Sequence, residues 1–424
     1  MKRRDFLKSA MAAVSMLPFA EDILNAEIAT LNNLFWVKNI PDEPFYAGNS
    51  YYHAGLDCLL YLMGRYGLKF YQTTQHGLLN GTNGLISRND VVLIKVNAQW
   101  KYRGCTNSDL VRGLIQRILD HPDGFDGEIV IFENGQGWGS LNCDSTLESP
   151  DNTVHANAND ESHSFLYLVN EVFNSPFVSA YLLDPVRKIF IGHNDHITDG
   201  YRMLEDINYP CFFSQSGNRI ELKEGIWDSK KYTQNLKLIN IPVLKHHDVG
   251  GSEITAALKH VYGIITMGDG RYGYRHYKGL GETCGKMFVS VRTPVLNIID
   301  ATWVSFSALS GYPPSATFRA NQLLASQDPV ALDYWAAKYI LYSIDKNPRH
   351  HPDFPGIDQW LTDAMNLIND RGGIYKPEQG IVVNTVTKNE AEMRVYWANA
   401  LNFLKTLSRL EDFEERKNRR RRVN

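Results

Sequence analysis

The sequence predicts an α/β protein in which a mostly parallel sheet is flanked by helices and carries a long irregular insertion. Continuous apolar runs of strand length alternate with amphipathic helical patterns, and this alternation is typical of parallel strands joined by crossover helices. The 424 residues, of which 43% are hydrophobic and 21% are charged, are enough for a large core and one to three domains.

The clearest unit lies between residues 90 and 132. Residues 90–95 and 128–132 are continuous runs rich in β-branched side chains, which predict two strands. The polar stretch Thr106-Asn107-Ser108-Asp109 is typical of a helix start, and leucines at 110 and 114 begin an apolar helical face. This strand–helix–strand order predicts parallel pairing.

Further elements follow the same logic. Residues 237–244 predict a strand in which Pro242 favours an edge or a strand end, and Asp328-Pro329 predicts a capped helix start. Residues 178–236 are irregular and predict an insertion or a small β-rich cap. The remaining predictions are a strand at 295–299 and helices at 56–66, 162–173, 252–262, 328–342 and 359–368.

The two ends of the chain differ from the middle. Lys2-Arg3-Arg4-Asp5-Phe6-Leu7-Lys8 and the short apolar run after it have the layout of a twin-arginine (Tat) export signal, which predicts a periplasmic or otherwise exported protein. We expect a signal peptide over 1–26, an α/β domain over 27–390, and an amphipathic helix with a basic tail over 391–424.

Composition excludes several classes of function. The formal net charge of −3 gives no overall electrostatic reason to bind nucleic acid, and no later segment has the apolar length of a membrane span. The five cysteines lie too far apart in sequence for zinc-ribbon or ferredoxin spacing, so no iron–sulfur cluster is expected. One or two disulfides are compatible with export, but the sequence does not pair the cysteines.

Polar residues follow four of the predicted strands directly. Because ligands bind at the carboxyl ends of the strands of open parallel sheets, these residues would line one crevice if the strands share a sheet. They are Lys95 and Asn97, Glu133, the group Lys245, His247 and Asp248, and Asp300.

The residue types suggest roles in such a crevice. Lysines supply compact positive charge for a carboxylate or phosphate, and backbone N–H groups at a helix start bind anions. The expected substrate-binding residues are Lys95, Asn97, Asn107, Lys245, Lys259 and Ser252. His247, Asp300 and Glu133 are candidate acid–base groups, and His247, Asp248 and Asp300 are candidate ligands of a divalent metal.

A structural interpretation of the same residues stays open. Ser252 would then cap a helix, Lys259 would occupy a solvated helix position, and the histidines and aspartate at 246–248 would form a hydrogen-bonded turn.

These strand ends also carry a resemblance to a known family. Residues 92–97 with Thr106-Asn107 are similar to the I-K-P-N … T-N opening of the family called domain of unknown function 362. Further similarities are 241–247 to its P-x-L-K-x-H strand, 256–263 to its L-K-N-x-x-G helix, and 296–301 and 328–333 to its I-D-A and D-P-V-A-x-D signatures.

The resemblance covers about residues 90–340 and implies an α/β domain of unassigned biochemical role. Many members carry ferredoxin-type cysteine clusters, whereas this chain has none. Val96 stands where proline is usual, and His260 stands where asparagine is usual, which puts the hydrogen bonds of that position in question.

Three hypotheses follow. In the first, the chain is an exported enzyme acting on an anionic small molecule, with or without a divalent metal. In the second, it is a non-catalytic periplasmic protein that binds a glycan or metabolite. In the third, it is an assembly factor for another exported enzyme.

Overall fold

The structure is a computed structural model that describes residues 32–46, 48–145, 151–247, 253–266, 279–369 and 381–386. The strands, numbered along the chain, are β1 Asn32–Val37, β2 Phe45–Tyr46, β3 Asn49–His53, β4 Tyr71–Gln72, β5 Asn80–Gly81, β6 Ile86–Ser87, β7 Val91–Val96, β8 Glu128–Glu133, β9 Val178–Leu182, β10 Gly200–Leu204, β11 Ile207–Phe213, β12 Arg219–Glu221, β13 Gly225–Trp227, β14 Tyr232–Thr233, β15 Leu236–Ile241, β16 Val243–His246, β17 Ile254–Thr255, β18 Leu296–Ser305, β19 Thr317–Ser326 and β20 Ile381–Thr385.

The α-helices are α1 Ala54–Arg65, α2 Ser108–Leu119, α3 Phe165–Tyr167, α4 Ala257–Tyr262, α5 Leu280–Lys286, α6 Pro329–Ala336, α7 Tyr342–Asp345 and α8 Pro355–Asn369. Three π-helical turns, Leu168–Phe173, Met287–Val291 and Ala337–Leu341, continue α3, α5 and α6, and the third leads directly into α7. Single 3-10 turns lie at Tyr102–Gly104, Asp184–Val186, Pro314–Ala316 and Pro348–His350.

The largest sheet among the described residues has ten strands. Eight of them follow the order β20-β1-β19-β18-β15-β7-β8-β9, while β16 pairs with β18 and β17 pairs with β16. Strands β18, β15, β7, β8 and β9 are parallel to one another, and β19 is antiparallel to both of its neighbours. The predicted fold class, a mostly parallel sheet flanked by helices, is therefore confirmed.

The central strands are covered on both faces. Every residue of β7 and of β8 is buried, as expected for parallel strands between two layers of helices. Leu93 packs into one core with α4, α5, α6 and α8, whereas Ile94 packs into a second core with α1, α2 and α3. The alternation of side chains along one strand thus builds both cores.

The segment 178–236 has two parts. Its first strand, β9, is the last strand of the main sheet, and the region from β10 to β14 forms a separate five-stranded antiparallel sheet. Tyr201 and Phe212 of this small sheet pack into the core that contains α4. The Tyr201 hydroxyl also donates to the Ile264 carbonyl oxygen at 3.1 Å, so the small sheet contacts the chain just after α4.

Two element boundaries differ from the sequence prediction. Pro242 lies between β15 and β16 and divides the run 237–244, because it has no backbone N–H to donate to a neighbouring strand. The helix predicted from Ser252 begins at Ala257, so its predicted start is wrong: Ile254–Thr255 pairs antiparallel with β16 instead.

Several predictions fall outside the described residues: the signal peptide at 1–26, the helix and basic tail at 391–424, and the side chains of Asp248 and Ser252. Within the part of the chain that the structure does describe, no helix combines the length and the apolar character needed to cross a bilayer.

Candidate functional site

The four strand ends singled out in the sequence lie along one edge of the main sheet. Lys95 is on β7, Glu133 ends β8, Lys245 is on β16, and Asp300 is on β18. Because these strands are parallel, their carboxyl ends point the same way. The structure therefore brings together residues that are up to about two hundred positions apart in the chain. They lie at the carboxyl ends of the strands, which is where parallel sheets bind their ligands.

One hydrogen-bonded group at this edge is a buried set of four side chains, which we call the Lys95 cluster. Its members are Lys95, Glu133, His260 and Asn240. The Lys95 ammonium donates to both carboxylate oxygens of Glu133, at 2.9 and 2.8 Å, and to the Val96 carbonyl oxygen at 2.8 Å. It also lies 3.1 Å from His260 Nε2. Lys95 and Glu133 are 1% and 2% exposed, so this ion pair is shielded from water.

Hydrogen bonds around the cluster define the tautomer of His260. Asn240 Nδ2 donates to Asn297 Oδ1 at 2.9 Å, and Asn297 Nδ2 donates to the Ser326 carbonyl oxygen at 3.2 Å, which orients both amides. Asn240 Oδ1 therefore faces His260 Nδ1 at 2.7 Å as an acceptor. A neutral His260 then carries its proton on Nδ1, and its Nε2 lone pair accepts from the Lys95 ammonium.

Burial changes the proton affinities of all three titratable groups. Desolvation lowers the pKa of Lys95 and raises the pKa of Glu133, although each partner opposes the shift of the other. Desolvation and the nearby Lys95 charge hold the pKa of His260 well below its usual value, consistent with a neutral imidazole. The proton affinities of Lys95 and Glu133 are thereby brought closer together than in water.

Helix α4, which carries Lys259 and His260, is held by a carboxyl group from another helix. Its N-cap residue, Ala256, has no side-chain acceptor, and Asp333 of α6 supplies one by accepting from the N–H groups of Ala257 at 2.7 Å and Leu258 at 2.9 Å. Asp333 is fully buried, and desolvation raises its pKa to about 8. The position of His260 therefore depends on a carboxyl group distant in sequence.

Asp300 has a similar structural role at the start of α2. Its carboxylate accepts from the N–H groups of Asn107 at 2.8 Å and Thr302 at 3.0 Å, and burial raises its pKa to about 6. The Asn107 side chain accepts from Leu110 N at 3.0 Å and is the N-cap of α2. Both predicted site residues thus use their oxygens for the backbone.

Asn97 also ties backbone segments together. Its side-chain oxygen accepts from Val243 N at 2.9 Å, and its own N–H donates to Thr106 Oγ1 at 2.8 Å. Thr106 Oγ1 in turn donates to the Ile241 carbonyl oxygen at 2.7 Å. This network joins the loop after β7 to the end of β15.

The other two predicted lysines are buried at the same edge. Lys245 Nζ donates to the carbonyl oxygens of Gly104 at 2.7 Å and Leu309 at 3.0 Å. Lys245 is 2% exposed and Lys259 is 9% exposed. Positive charge is therefore concentrated beneath this edge, and the interpretation of Lys259 as a solvated helix position is wrong.

A second polar group lies at the end of β16. Asp345 Oδ2 lies 2.7 Å from His350 Nδ1, and His350 Nε2 lies 2.8 Å from His246 Nδ1. The backbone N–H of His247 donates to the Glu253 carbonyl oxygen at 2.8 Å. The predicted histidine His247 is therefore adjacent to a carboxylate–histidine–histidine chain.

Metal coordination by His247, Asp248 and Asp300 stays a prediction, because Asp248 is not among the described residues. Within the ranges that the structure describes, no three His, Cys, Asp or Glu side chains are grouped as a metal ion would require. The Asp300 carboxylate is already bound by two backbone N–H groups, which favours its structural role.

Sequence reasoning missed five members of this region: Asn240, His260, Asp333, Asp345 and His350. His260 was noted only as a departure from a family pattern, although it follows Lys259 directly on the helix. Asp333 belongs to a quoted signature, and its charge inside an apolar helical pattern was a usable signal, since an aspartate is rarely buried without a partner.

The fold and the geometry of this edge define an α/β domain with a buried charged site. One family model matches part of the chain. The family described as Domain of unknown function (DUF362) matches residues 218–338, which supports the predicted resemblance over that region. Lys245, Lys259, His260, Asp300 and Asp333 lie inside the match. Lys95 and Glu133 precede it, so the resemblance of the opening motif stays a prediction. Neither the curated proteins nor the solved structures include a match to the chain.

The buried Asp333 predicts a specific pH dependence of stability. With a native pKa of about 8, Asp333 keeps its proton near neutral pH, whereas the carboxyl of the unfolded chain has lost it. Native protein therefore binds one more proton, and its free energy of unfolding falls as pH rises. Between about pH 6.5 and about pH 7.5 we expect the free energy of unfolding to fall more steeply with pH in the wild type than in Asp333→Asn, by roughly 1.4 kcal/mol per pH unit.

Urea unfolding at several pH values measures this slope, and the slope is independent of any constant cost of the altered helix cap. Asp358→Asn, at an exposed position of α8, is the matched control and should retain the wild-type slope. Equal slopes for wild type and Asp333→Asn would show that the carboxyl is ionised in the native protein.

Proposed function

We propose that the chain is an exported enzyme that binds an anionic small molecule at the carboxyl edge of the main sheet and transfers a proton there through Glu133 and Lys95. The observation that carries the proposal is the buried contact of Lys95 with Glu133 and His260. Two adjacent parallel strands and one helix supply these three groups, and burial shifts the pKa of each one.

The energetic cost of the cluster favours a functional role. Placing an ammonium and a carboxylate in a dry environment costs several kcal/mol per ion, and a hydrophobic pair of similar size is often as stable or more stable. Titratable groups with shifted pKa values concentrate at catalytic sites, where proton affinities must be close to one another for transfer. Glu133 is suited to act as the base, and Lys95 as the group that stabilises or returns the proton.

Charge at the edge favours an anionic ligand. The charges of Lys245 and Lys259 both lower the pKa of His260, so these two lysines lie near the Lys95 cluster and add the positive charge that would attract a carboxylate or phosphate. Compact ammonium groups bind such ligands as point charges. Lys95 then belongs to the proton-transfer group, and Lys245 and Lys259 to the anion site.

Proton transfer through Glu133 and Lys95 needs no metal ion, and a divalent ion bound at the same edge is compatible with it. His247 and Asp248 directly follow β16 and could contribute ligands of a divalent ion. The acid–base version is preferred because the structure describes all of its groups, whereas Asp248 is not among the described residues.

One observation favours the alternative of a non-catalytic binding protein. Tyr102 stacks on His155 at 4.5 Å and on Tyr312 at 4.9 Å, measured between ring centroids, and Tyr312 is 55% exposed. A stack with an exposed terminal ring is suited to a flat ligand or a sugar. An assembly factor remains a third proposal, and it would need neither a small anion nor turnover.

The anion site predicts a saturable rise in melting temperature. We would titrate the full chain with inorganic phosphate and with citrate at constant ionic strength, using chloride as reference. A ligand at one hundred times its Kd stabilises the native protein by about 2.7 kcal/mol. We expect at least one of the two anions to raise the Tm, and Lys245→Met and Lys259→Met to abolish this rise.

Lys237→Met is the matched control, because Lys237 lies on β15 at the opposite end of the same sheet. This variant should retain the anion response. A wild-type Tm that neither anion raises, or a rise that persists in both lysine variants, contradicts the anion site. Binding that requires Lys245 but leaves the anion chemically unchanged would favour the binding protein over the enzyme.

Export through the twin-arginine pathway is a separate prediction. We expect the full chain expressed in a bacterium with this pathway to be recovered in the exported fraction, with a new N-terminus after Ala20 or Ala26. Replacing Arg3 and Arg4 together by lysine should retain the chain inside the cell at unchanged net charge, whereas Lys2→Arg should not. Equal export of the paired-lysine variant would contradict the assignment.

A further inference from the structure

Two of the five cysteines occupy a distinctive position beside the candidate site. All five are reduced and buried in the structure. Cys105 directly follows the turn Tyr102–Gly104, and Cys143 lies in the loop after β8. The other three, Cys58, Cys211 and Cys284, lie on α1, β11 and α5.

A short segment holds Cys105 and Cys143 in place. The backbone N–H of Asn157 lies 3.2 Å from Cys105 Sγ and donates to it, and the Asn157 side-chain amide donates to the Cys105 carbonyl oxygen at 2.9 Å. Two residues earlier, His155 N donates to the Cys143 carbonyl oxygen at 2.9 Å, and the His155 carbonyl accepts from Tyr102 N at 2.7 Å. The segment 155–157 thus lies between the two cysteines and binds both.

The two side chains lie close together. The Cys143 thiol interacts with the sulfur of Cys105, whose own thiol donates to the Tyr102 carbonyl oxygen at 3.1 Å, and both residues are at most 1% exposed. Cys143 has a φ of 54°, in the left-handed region that glycine and asparagine enter at lower cost. Strained backbone of this kind persists where its surroundings require it, and here it accompanies a side chain directed at Cys105.

The local charges distinguish the two thiols. Although burial alone would raise the pKa of Cys105, hydrogen bonds from Cys143 and Asn157 and the nearby Lys245 and Arg103 charges lower it overall. The hydrogen bond to Cys105, followed by burial, raises the pKa of Cys143 well above its usual value. Of the two thiols, Cys105 therefore loses its proton more readily, and the thiolate is the form that attacks a disulfide.

We propose that Cys105 and Cys143 form a dithiol–disulfide pair that closes when the chain meets a disulfide oxidant. The Cys105 thiolate attacks one sulfur of the external disulfide and releases the other sulfur as a thiolate. Cys143, after losing its proton, then attacks the mixed disulfide at Cys105 and releases the second thiolate. One disulfide forms in the protein, the external disulfide is reduced to two thiols, and the protein loses two hydrogen atoms.

The inference goes beyond the proposed function, but it affects the same edge. Gly104, whose carbonyl oxygen accepts from Lys245 Nζ at 2.7 Å, directly precedes Cys105. A Cys105–Cys143 bond would tie this acceptor to the loop after β8, which directly follows Glu133. Oxidation would therefore link the surroundings of Lys245 to those of Glu133 covalently. The oxidant would be met outside the cytoplasm if the chain is exported as proposed.

Peptide mapping of the full chain tests the pair. One sample of native protein is incubated with glutathione disulfide, and a second sample is refolded from urea in a glutathione redox buffer, so that burial cannot block access. Both samples are then alkylated in denaturant and digested without reductant. We expect one cross-linked peptide pair containing Cys105 and Cys143, with Cys58, Cys211 and Cys284 alkylated.

The cross-link in the refolded sample supports the proposal even if the native sample stays reduced, because burial alone can slow the reaction. Five alkylated cysteines in both samples, or a dominant cross-link between any other two cysteines, overturns it. Cys143→Ala should lose the cross-link, and the matched control Cys211→Ala should keep it. Reduction of the oxidised wild type should lower its Tm, and the same treatment should leave the Tm of Cys143→Ala unchanged.

Discussion

The Lys95–Glu133 ion pair is the interaction on which the geometry of the carboxyl edge depends. An ammonium and a carboxylate that are both buried must stay in contact, because either one alone would carry an uncompensated charge in a dry environment. This requirement keeps β7 and β8 in register at their ends. Through His260, Asn240 and Asn297 it also extends across α4, β15 and β18 as one continuous chain of hydrogen bonds.

Buried aspartate side chains then position the helices around this pair. Asp333 binds the first N–H groups of α4 and so places His260, whereas Asp300 binds the N–H of Asn107 and so places the start of α2. Both aspartates belong to signatures that carry the family resemblance. Their hydrogen bonds give those signatures a physical explanation: a helix end that is buried without a partner would leave unsatisfied N–H groups.

The sequence predicted local structure better than it predicted contacts. Strands β7 and β8 are continuous β-branched runs, and the cap of α6 is Asp328 followed by Pro329, as expected. Lys95 and Glu133 were both named as strand ends, and their two strands were expected to pair, but the sequence pattern does not give the register of that pairing, so it did not place the two side chains in contact. The partner of Ala257 N is Asp333, far along the chain, and no spacing rule reaches that distance.

The same limit explains which roles changed. Asn97 and Asn107 were predicted to bind a substrate, and Asp300 was predicted to be an acid–base group or a metal ligand. In the structure each accepts a hydrogen bond from a backbone N–H group at a strand or helix end. The proposed function accordingly rests on Glu133, Lys95 and His260. Lys245 and Lys259 keep the anion-binding role that their charge suggested.

A double-mutant cycle on Lys95→Met and Glu133→Gln tests the central claim most directly, with the free energy of unfolding as the readout. Each single change leaves a buried group without its partner and should cost about 3–5 kcal/mol. The double variant should cost clearly less than the sum. The exposed pair Arg88 and Asp126, measured as a control with Arg88→Met and Asp126→Asn, should show a coupling below about 1 kcal/mol. Additive effects at Lys95 and Glu133, within about 0.5 kcal/mol, would contradict a buried ion pair at this edge.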